Sequence, residues 1–347
     1  MAGPIRLINA AAPIRICDTG GWTDTWFAEH GKIFNIGVAP YVEVQIAVYP
    51  RDERTDQITL HAENYGEHYA VRLGQIGHAR HALLEAAIAE GAPPHDLALE
   101  ITISSAMPAG ASTGTSAAVT VALLGALNAL TPNRQTPYEI AYRAHRVETQ
   151  RLGLQSGIQD QLCAAYGGVN FIEVSAYPQA TVSQIELPDS IMWELERRLI
   201  LVFLGKTHSS SAVHEQVISR LERVGSAATE LEALRHAAEQ SRDALVSGDF
   251  VRLGQAMIAN SAAQYALHPA LIGTEARELI ALAQEHNVLG WKVNGAGGEG
   301  GSVTLLCGRS ASAQRALIRA IPQTNPLFQV IPIALSWEGL RVWESVG

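Results

Sequence analysis

Residues 108–117, PAGASTGTSA, set two glycines and four hydroxyl side chains between a strand-like run, LEITISSAM, and a strongly apolar helical run, AAVTVALLGALNAL. The first N–H groups of a helix have no partner within it and sit at the positive end of its dipole, so such a turn can hold an anion. Gly110 and Gly114 let the main chain approach a ligand closely, while Ser112, Thr113, Thr115 and Ser116 offer hydroxyls to a phosphate or to a metal-bound shell. The same residues also suit a plain strand-to-helix turn, and the loop alone does not separate the two readings.

Two other glycine-rich segments fail as nucleotide motifs. GKT at 205–207 follows an apolar strand, but a P-loop needs a glycine where Ile200 stands. GAGGEG at 295–300 matches G-x-G-x-x-G, yet GSVTLLCG follows it, a strand in place of the helix that would hold a pyrophosphate. His61, His68, His78 and His81 lack the carboxylate or cysteine spacing that would complete a metal site and read as surface histidines.

The elements that must position these residues change character along the chain. The first hundred residues alternate short apolar runs with polar turns, which predicts strands, with one helix at ARHALLEAAIAEG. The run from Ala117 to Leu130 is apolar on nearly every face and predicts a buried helix. Thr136, Pro137 and Glu139 form a capping-box start for a helix reaching about Leu152. GGVNFIEV and RRLILVFLG read as strands; helices are predicted at 211–245, 249–264 and 273–287. The end returns to strands in GWKVNGAGG, GSVTLLCG and FQVIPIAL, with the helix SASAQRALIRAI between the last two. Short strands without a regular βαβα alternation predict an α+β fold, with a domain boundary near 190: residues 1–190 and 191–347.

The chain has 347 residues, 47% hydrophobic and 17% charged, enough for two cores. Its formal net charge of −9 argues against a surface that neutralises nucleic-acid phosphates. Cys17, Cys163 and Cys307 are widely separated and have no CxxC spacing, which argues against a disulfide framework or a zinc ribbon. No apolar stretch reaches the roughly 18 to 20 residues of a membrane span, and a cytoplasmic enzyme that does not act at a membrane is expected.

Four segments, APIRICDTGGWTDTWFAEHGKIFNIGV, PAGASTGTSAA, GLQSGIQDQLCAAYGGVNFIEV and KVNGAGGEGGSVTLL, together resemble the galactokinase, homoserine kinase, mevalonate kinase and phosphomevalonate kinase (GHMP) superfamily, in the family's order and spacing. GGWTDT is similar to the fucokinases. GIQDQ with AAYGGVNFIEV, and LVFLGKTHSSSAVHEQV, look like both the fucokinases and the heptose 7-phosphate kinases. The resemblance implies an N-terminal domain like ribosomal protein S5 domain 2, a ferredoxin-like C-terminal domain, and ATP bound between them. It implies ATP-dependent transfer of a phosphoryl group to a hydroxyl, expected to be anomeric, of a fucose-like hexose or a heptose 7-phosphate. The alternatives are a polyol or amino alcohol as acceptor, or a sensor without catalysis.

Residue by residue, the resemblance assigns ATP phosphates to Pro108, Gly110, Ser112, Thr113, Gly114, Thr115, Ser116 and Ala117, and Mg²⁺ to Ser116 and Glu148. Ser112 and Thr113 stand where the family has Gly and Leu, so side-chain hydroxyls are expected to replace some bare backbone contacts. Glu148 lies near a helix C-terminus, an unfavourable place for a carboxylate unless it serves another purpose. Asp160 matches the catalytic aspartate and Arg15 its basic companion. A carboxylate held by an arginine is a poor base, so the pair is expected to orient the hydroxyl and take its proton late. Asp24, Trp22, Gly21, Thr23, His208, Gly297 and Gly298 are expected on the acceptor side, Asp24 by accepting sugar hydroxyls, and Glu299 is expected to face solvent.

Overall fold

The computed structural model describes residues 3–54, 56–72, 80–206 and 211–345. Strand β1 (Arg6–Thr19) pairs antiparallel with the long β2 (Gly31–Pro50), and β3 (Ile58–Ala62), β4 (Glu67–Ala70) and β5 (Leu97–Ser105) extend the sheet in the order β1-β2-β5-β3-β4. The period-two pattern buries Val42, Val44, Ile46 and Val48 of β2 with Ile101 and Ile103 of β5 on one face. Helices α1 (Ala82–Gly91), α2 (Thr115–Asn128), α3 (Pro137–Arg146) and α4 (Gln159–Tyr166) cover that face. Helix α2 lies between the sheet and the other three helices, which is why it is apolar all round.

The capping box at Thr136 forms as the sequence predicts: the Glu139 N–H donates to Thr136 Oγ1 and the Thr136 N–H to Glu139 Oε2. The helix does not run on to Leu152 as an α-helix. It loosens at Val147–Arg151 into a π turn that carries Glu148. Strands β6 (Val169–Ala176) and β7 (Gln179–Gln184) then return beside the first part of β2.

Helix α5 (Asp189–Arg198) leads into β8 (Leu199–Phe203), and the helices α6 (Ser211–Val224), α7 (Thr229–Val246), α8 (Phe250–Leu267) and α9 (Thr274–Glu285) follow. The stretch 211–245, expected as one helix, is two, because a short turn at Gly225–Ala227 redirects the chain. Strands β9 (Gly290–Val293) and β10 (Ser302–Leu306), helix α10 (Ala311–Thr324) and β11 (Gln329–Ile331) complete an antiparallel sheet in the order β11-β8-β10-β9. That order, with helices after its first and third strands, is the ferredoxin-like arrangement. Its core forms against α9 and α10. A separate cluster packs Ile14, Ile16, Phe34 and Ile36 of the first sheet against Leu195, Leu245, Leu253 and Met257 of α5, α7 and α8.

The chain's end crosses back. Strand β12 (Ala334–Leu335) pairs with β2 and β13 (Arg341–Glu344) with β1, so residues beyond the boundary read at 190 complete the first sheet. The fold is α+β. No helix among the described residues is long and apolar enough to cross a membrane.

Candidate active site

The loop before α2 is fixed from three sides. The Arg15 N–H donates to the Thr113 carbonyl at 2.9 Å, the Arg15 guanidinium to the Ser112 carbonyl, and Ser302 Oγ to the Ala111 carbonyl at 2.6 Å. Gly114, at φ +69°, is the N-cap of α2, and no side chain caps the helix. Its first-turn N–H groups are therefore left for a ligand. Ser112 adopts φ +57°, the left-handed conformation natural to the glycine that the family resemblance puts there.

Gly110, Thr115 and Ser116 line a cavity of about 360 Å³ with Tyr65, His81 and Met107. Three residues assigned to phosphate are placed differently. Thr113 is buried, its hydroxyl hydrogen-bonded to that of Thr115 at 3.1 Å, so in the ligand-free chain it braces the loop from inside. Ala117 is buried and can offer only its backbone. Pro108 does not line the cavity; its carbonyl accepts from the Ala111 N–H to close the turn.

On the other side of Gly114 stands the Arg15–Asp160 pair. Arg15 Nε donates to Asp160 Oδ1 at 2.8 Å and Nη2 to Oδ2 at 3.1 Å, a two-pronged contact. Burial works against the Arg15 charge, but Asp160 and Asp18 outweigh it and raise its pKa. A Cβ on Gly114 would lie 3.2 Å from the Asp160 carboxyl carbon, so the helix start and this carboxylate are in direct contact.

Asp18 was not singled out in the sequence. In a regular strand, residues three apart point to opposite faces. Strand β1 shifts register between Ile16 and Thr19, with Cys17 at φ +54°, and this bulge turns Asp18 to the side of Arg15, 3.8 Å from Nη2. Asp18 accepts from the Gly295 N–H at 3.1 and 3.0 Å and from the ammonium of Lys292, 3.3 Å away. It thereby ties β1 to the glycine-rich loop of the second sheet. That loop also packs on Ser112: a Cβ on Gly301 would meet Ser112 Oγ at 2.9 Å.

A second cavity, of about 160 Å³, is lined by Arg15, Asp160, Gly21, Trp22, Asp24 and Gly295, with Trp26, Phe27, Gln159 and His214 among residues the sequence reading did not single out. Asp24 is buried and accepts the Gln159 N–H at 2.9 Å. Burial pushes it up to about 6, the backbone hydrogen bond opposing and the Asp160 charge adding. Trp22 serves both the core and the cavity. It packs in a core cluster with Phe27 and Leu231, and it faces the cavity, its Nε1 donating to the Ala296 carbonyl at 3.2 Å.

Thr23, by contrast, turns inward and donates to the Gly20 carbonyl at 2.7 Å, so it shapes the loop without lining the cavity. Gly297 and Gly298 do not line it either. They are pinned against Leu271, whose carbonyl accepts the Gly298 N–H at 2.8 Å, because a side chain at 297 would strike that carbonyl. His208 lies outside the described residues, as does His78.

Glu148 is buried, and Ser156 Oγ donates to its Oε2 at 2.7 Å. Its other oxygen makes no hydrogen bond, although the equally unpaired amide of Gln161 is close. Burial pushes Glu148 up to about 7; Ser156 opposes, and the Asp160 charge adds. Behind it, Tyr177 donates to the Ser156 carbonyl at 2.8 Å and His145 Nε2 meets the Tyr177 hydroxyl at 2.8 Å. Burial lowers the His145 pKa and so favours the neutral ring. An unpaired, buried carboxylate oxygen suits a cation that takes few protein ligands and keeps its waters. Among the described residues no group of three or more His, Cys, Asp or Glu could hold a metal ion by itself.

The family model for the GHMP kinases N terminal domain matches residues 77–168. A D-glycero-alpha-D-manno-heptose 7-phosphate kinase of Campylobacter jejuni is 26% identical over 59% of this chain and 60% of its own length. An L-fucokinase/L-fucose-1-P guanylyltransferase of Bacteroides fragilis is 24% identical over 98% of this chain and 39% of its own length. This chain thus spans less than two thirds of either relative. A mevalonate kinase of Pyrococcus abyssi is 25% identical over 98% of both chains. Among solved structures, a D-glycero-D-manno-heptose 1-phosphate kinase from Bacteroides thetaiotaomicron superposes with a TM-score of 0.76 at 20% identity, over 98% of this chain and 100% of that one. That likeness establishes the fold.

Proposed function

We propose that this chain is a kinase of the GHMP superfamily, and from that premise that it transfers the γ-phosphoryl group of ATP to a hydroxyl, the anomeric one, of a sugar or sugar phosphate. The observation that carries the reading is the meeting of two cavities at the uncapped start of α2: Thr115 and Ser116 line one, Arg15 and Asp160 the other, and Gly114 touches Asp160 between them.

Phosphoryl transfer depends on positioning and charge neutralisation more than on covalent help. In this reading the larger cavity takes the nucleoside, and Gly110, Ser112 and the first-turn N–H groups of α2 receive the phosphates. Glu148 and Ser116 would hold Mg²⁺, to which the unpaired Glu148 Oε1 is suited. When bound, Mg²⁺ supplies positive charge against the β- and γ-phosphates. Asp24 accepts hydroxyl hydrogen bonds from the acceptor and Asp160 orients the reacting hydroxyl. As the sugar oxygen bonds to phosphorus and the bond to ADP breaks, the hydroxyl proton passes to Asp160, whose charge Arg15 steadies until then. An anomeric hydroxyl, more acidic than an ordinary alcohol, eases that step.

ADP release measured with a panel of sugars, polyols and amino alcohols tests the reading. Mg²⁺-dependent turnover with a sugar is the expected result; turnover confined to non-sugar alcohols, or none at all, would overturn it.

A further inference from the structure

We infer that the acceptor is an uncharged monosaccharide with an apolar edge and not a sugar phosphate. This rests on the kinase reading above and narrows its acceptor. A phosphate group is held by Arg forks, Lys ammonium groups or clustered backbone N–H donors. In the second cavity the arginine and two of the backbone N–H groups are already committed. Arg15 is its only Lys or Arg among the described residues, and it is spent on both Asp160 oxygens and the Ser112 carbonyl. The Gln159 N–H is given to Asp24 and the Gly295 N–H to Asp18. His214 Nε2 is directed at the Gly297 carbonyl, 3.0 Å away.

What the lining offers instead is acceptors. Asp24 and Asp160 face the cavity, and Gln159, also in its wall, has a buried Oε1 with no partner. A phosphate dianion there would meet two carboxylates, whereas sugar hydroxyls bring donors, which Gln159 Oε1 lacks and which the carboxylate oxygens can accept through their further lone pairs. The same lining carries the aromatic and aliphatic side chains of Trp22, Trp26, Phe27 and Ile218, with the Trp26 and Phe27 ring centroids 5.1 Å apart. Such side chains pack against the C–H face or a methyl group of a sugar ring. The volume of about 160 Å³ suits one ring.

The test compares neutral hexoses and 6-deoxyhexoses with hexose 6-phosphates and heptose 7-phosphates, reading kcat/KM from ADP release. We expect a neutral sugar to be preferred by about a hundredfold or more, as when a site's polar groups are left unpaired by the wrong substrate. Preference for a phosphorylated sugar would overturn this inference and leave the kinase reading standing; no turnover with any sugar would overturn both. Trp26 is only partly buried and lies at the edge of the Trp22–Phe27 cluster, so its removal is checked by an unchanged KM for ATP. Trp26→Ala is expected to raise KM for the sugar by about five- to tenfold with KM for ATP unmoved. An unchanged sugar KM would overturn the apolar edge.

Discussion

Arg15 and Asp160, 145 residues apart in the chain, are locked by two parallel hydrogen bonds at the point where the start of α2 touches the second cavity. Neutralising the carboxylate while keeping its shape separates its chemical role from its packing. In Asp160→Asn, kcat is expected to fall by about 10²- to 10⁴-fold, the range for loss of a positioned proton acceptor. ATP affinity, read by nucleotide titration, is expected to hold, because the loop residues that line the first cavity are untouched. Full turnover in this variant would remove Asp160 from the mechanism.

Gly157 is kept small by Asp24. A Cβ at 157 would lie 2.1 Å from Asp24 Oδ2, so Gly157→Ala must push that carboxylate from the Gln159 N–H. The sugar KM is expected to rise by about tenfold or more with ATP KM unchanged. Stability is expected to fall by about 1–3 kcal/mol from overpacking, which urea unfolding would measure.

Much of this site was legible in the sequence because GGWTDT, GIQDQ and the loop at 108–117 each keep their chemistry within a few consecutive residues. Asp24, Asp160 and Gly110–Ser116 are singled out this way, Arg15 and Glu148 by the resemblance to the GHMP superfamily, and the structure brings Arg15, Asp24 and Asp160 around one cavity. Asp18 is not, because strand periodicity turns it away from Arg15 and only the bulge at Cys17 brings it back. Lys292 reads as one charge within a short apolar strand, and nothing local tells that its partner is on β1. The support of Glu148 by Ser156, Tyr177 and His145 joins three separate segments. Strand β13, four residues of RVWE, is too short to show a period, and it forms because β1 offers it an edge.

Glu148 and Asp24 give the ligand-free protein a pH dependence of definite sign. Burial raises Glu148 from 4.5 to about 7 and Asp24 from 3.8 to about 6. Between the unfolded and folded values the native state binds protons that the unfolded chain does not, so stability from these groups is fully present at low pH and declines as pH rises towards about 7. Urea midpoints across this window are expected to fall with pH in the wild type and more shallowly in Glu148→Gln. Mg²⁺ with a non-hydrolysable ATP analogue binds the ionised form in the proposed site. Its stabilisation is therefore expected to be greater at about pH 8 than at about pH 5.5.

Asp18 and Lys292 are both fully buried, 3.3 Å apart, one on each sheet, and removing either partner should not cost the same. Lys292→Met leaves Asp18 with Arg15 and the Gly295 N–H, so its charge stays compensated. Asp18→Asn leaves the Lys292 ammonium in a site where burial lowers its pKa and Arg15 adds to that, with the opposing carboxylate gone. The expected loss is about 3–5 kcal/mol for Asp18→Asn, the range for an uncompensated buried charge, and clearly less for Lys292→Met. In Asp18→Asn the folded state sheds the Lys292 proton before the unfolded chain does. Its stability deficit is therefore expected to shrink as pH rises towards about 9. Equal losses in the two variants, or a deficit independent of pH, would mean that Asp18 serves the fold through the Gly295 hydrogen bonds and not through charge.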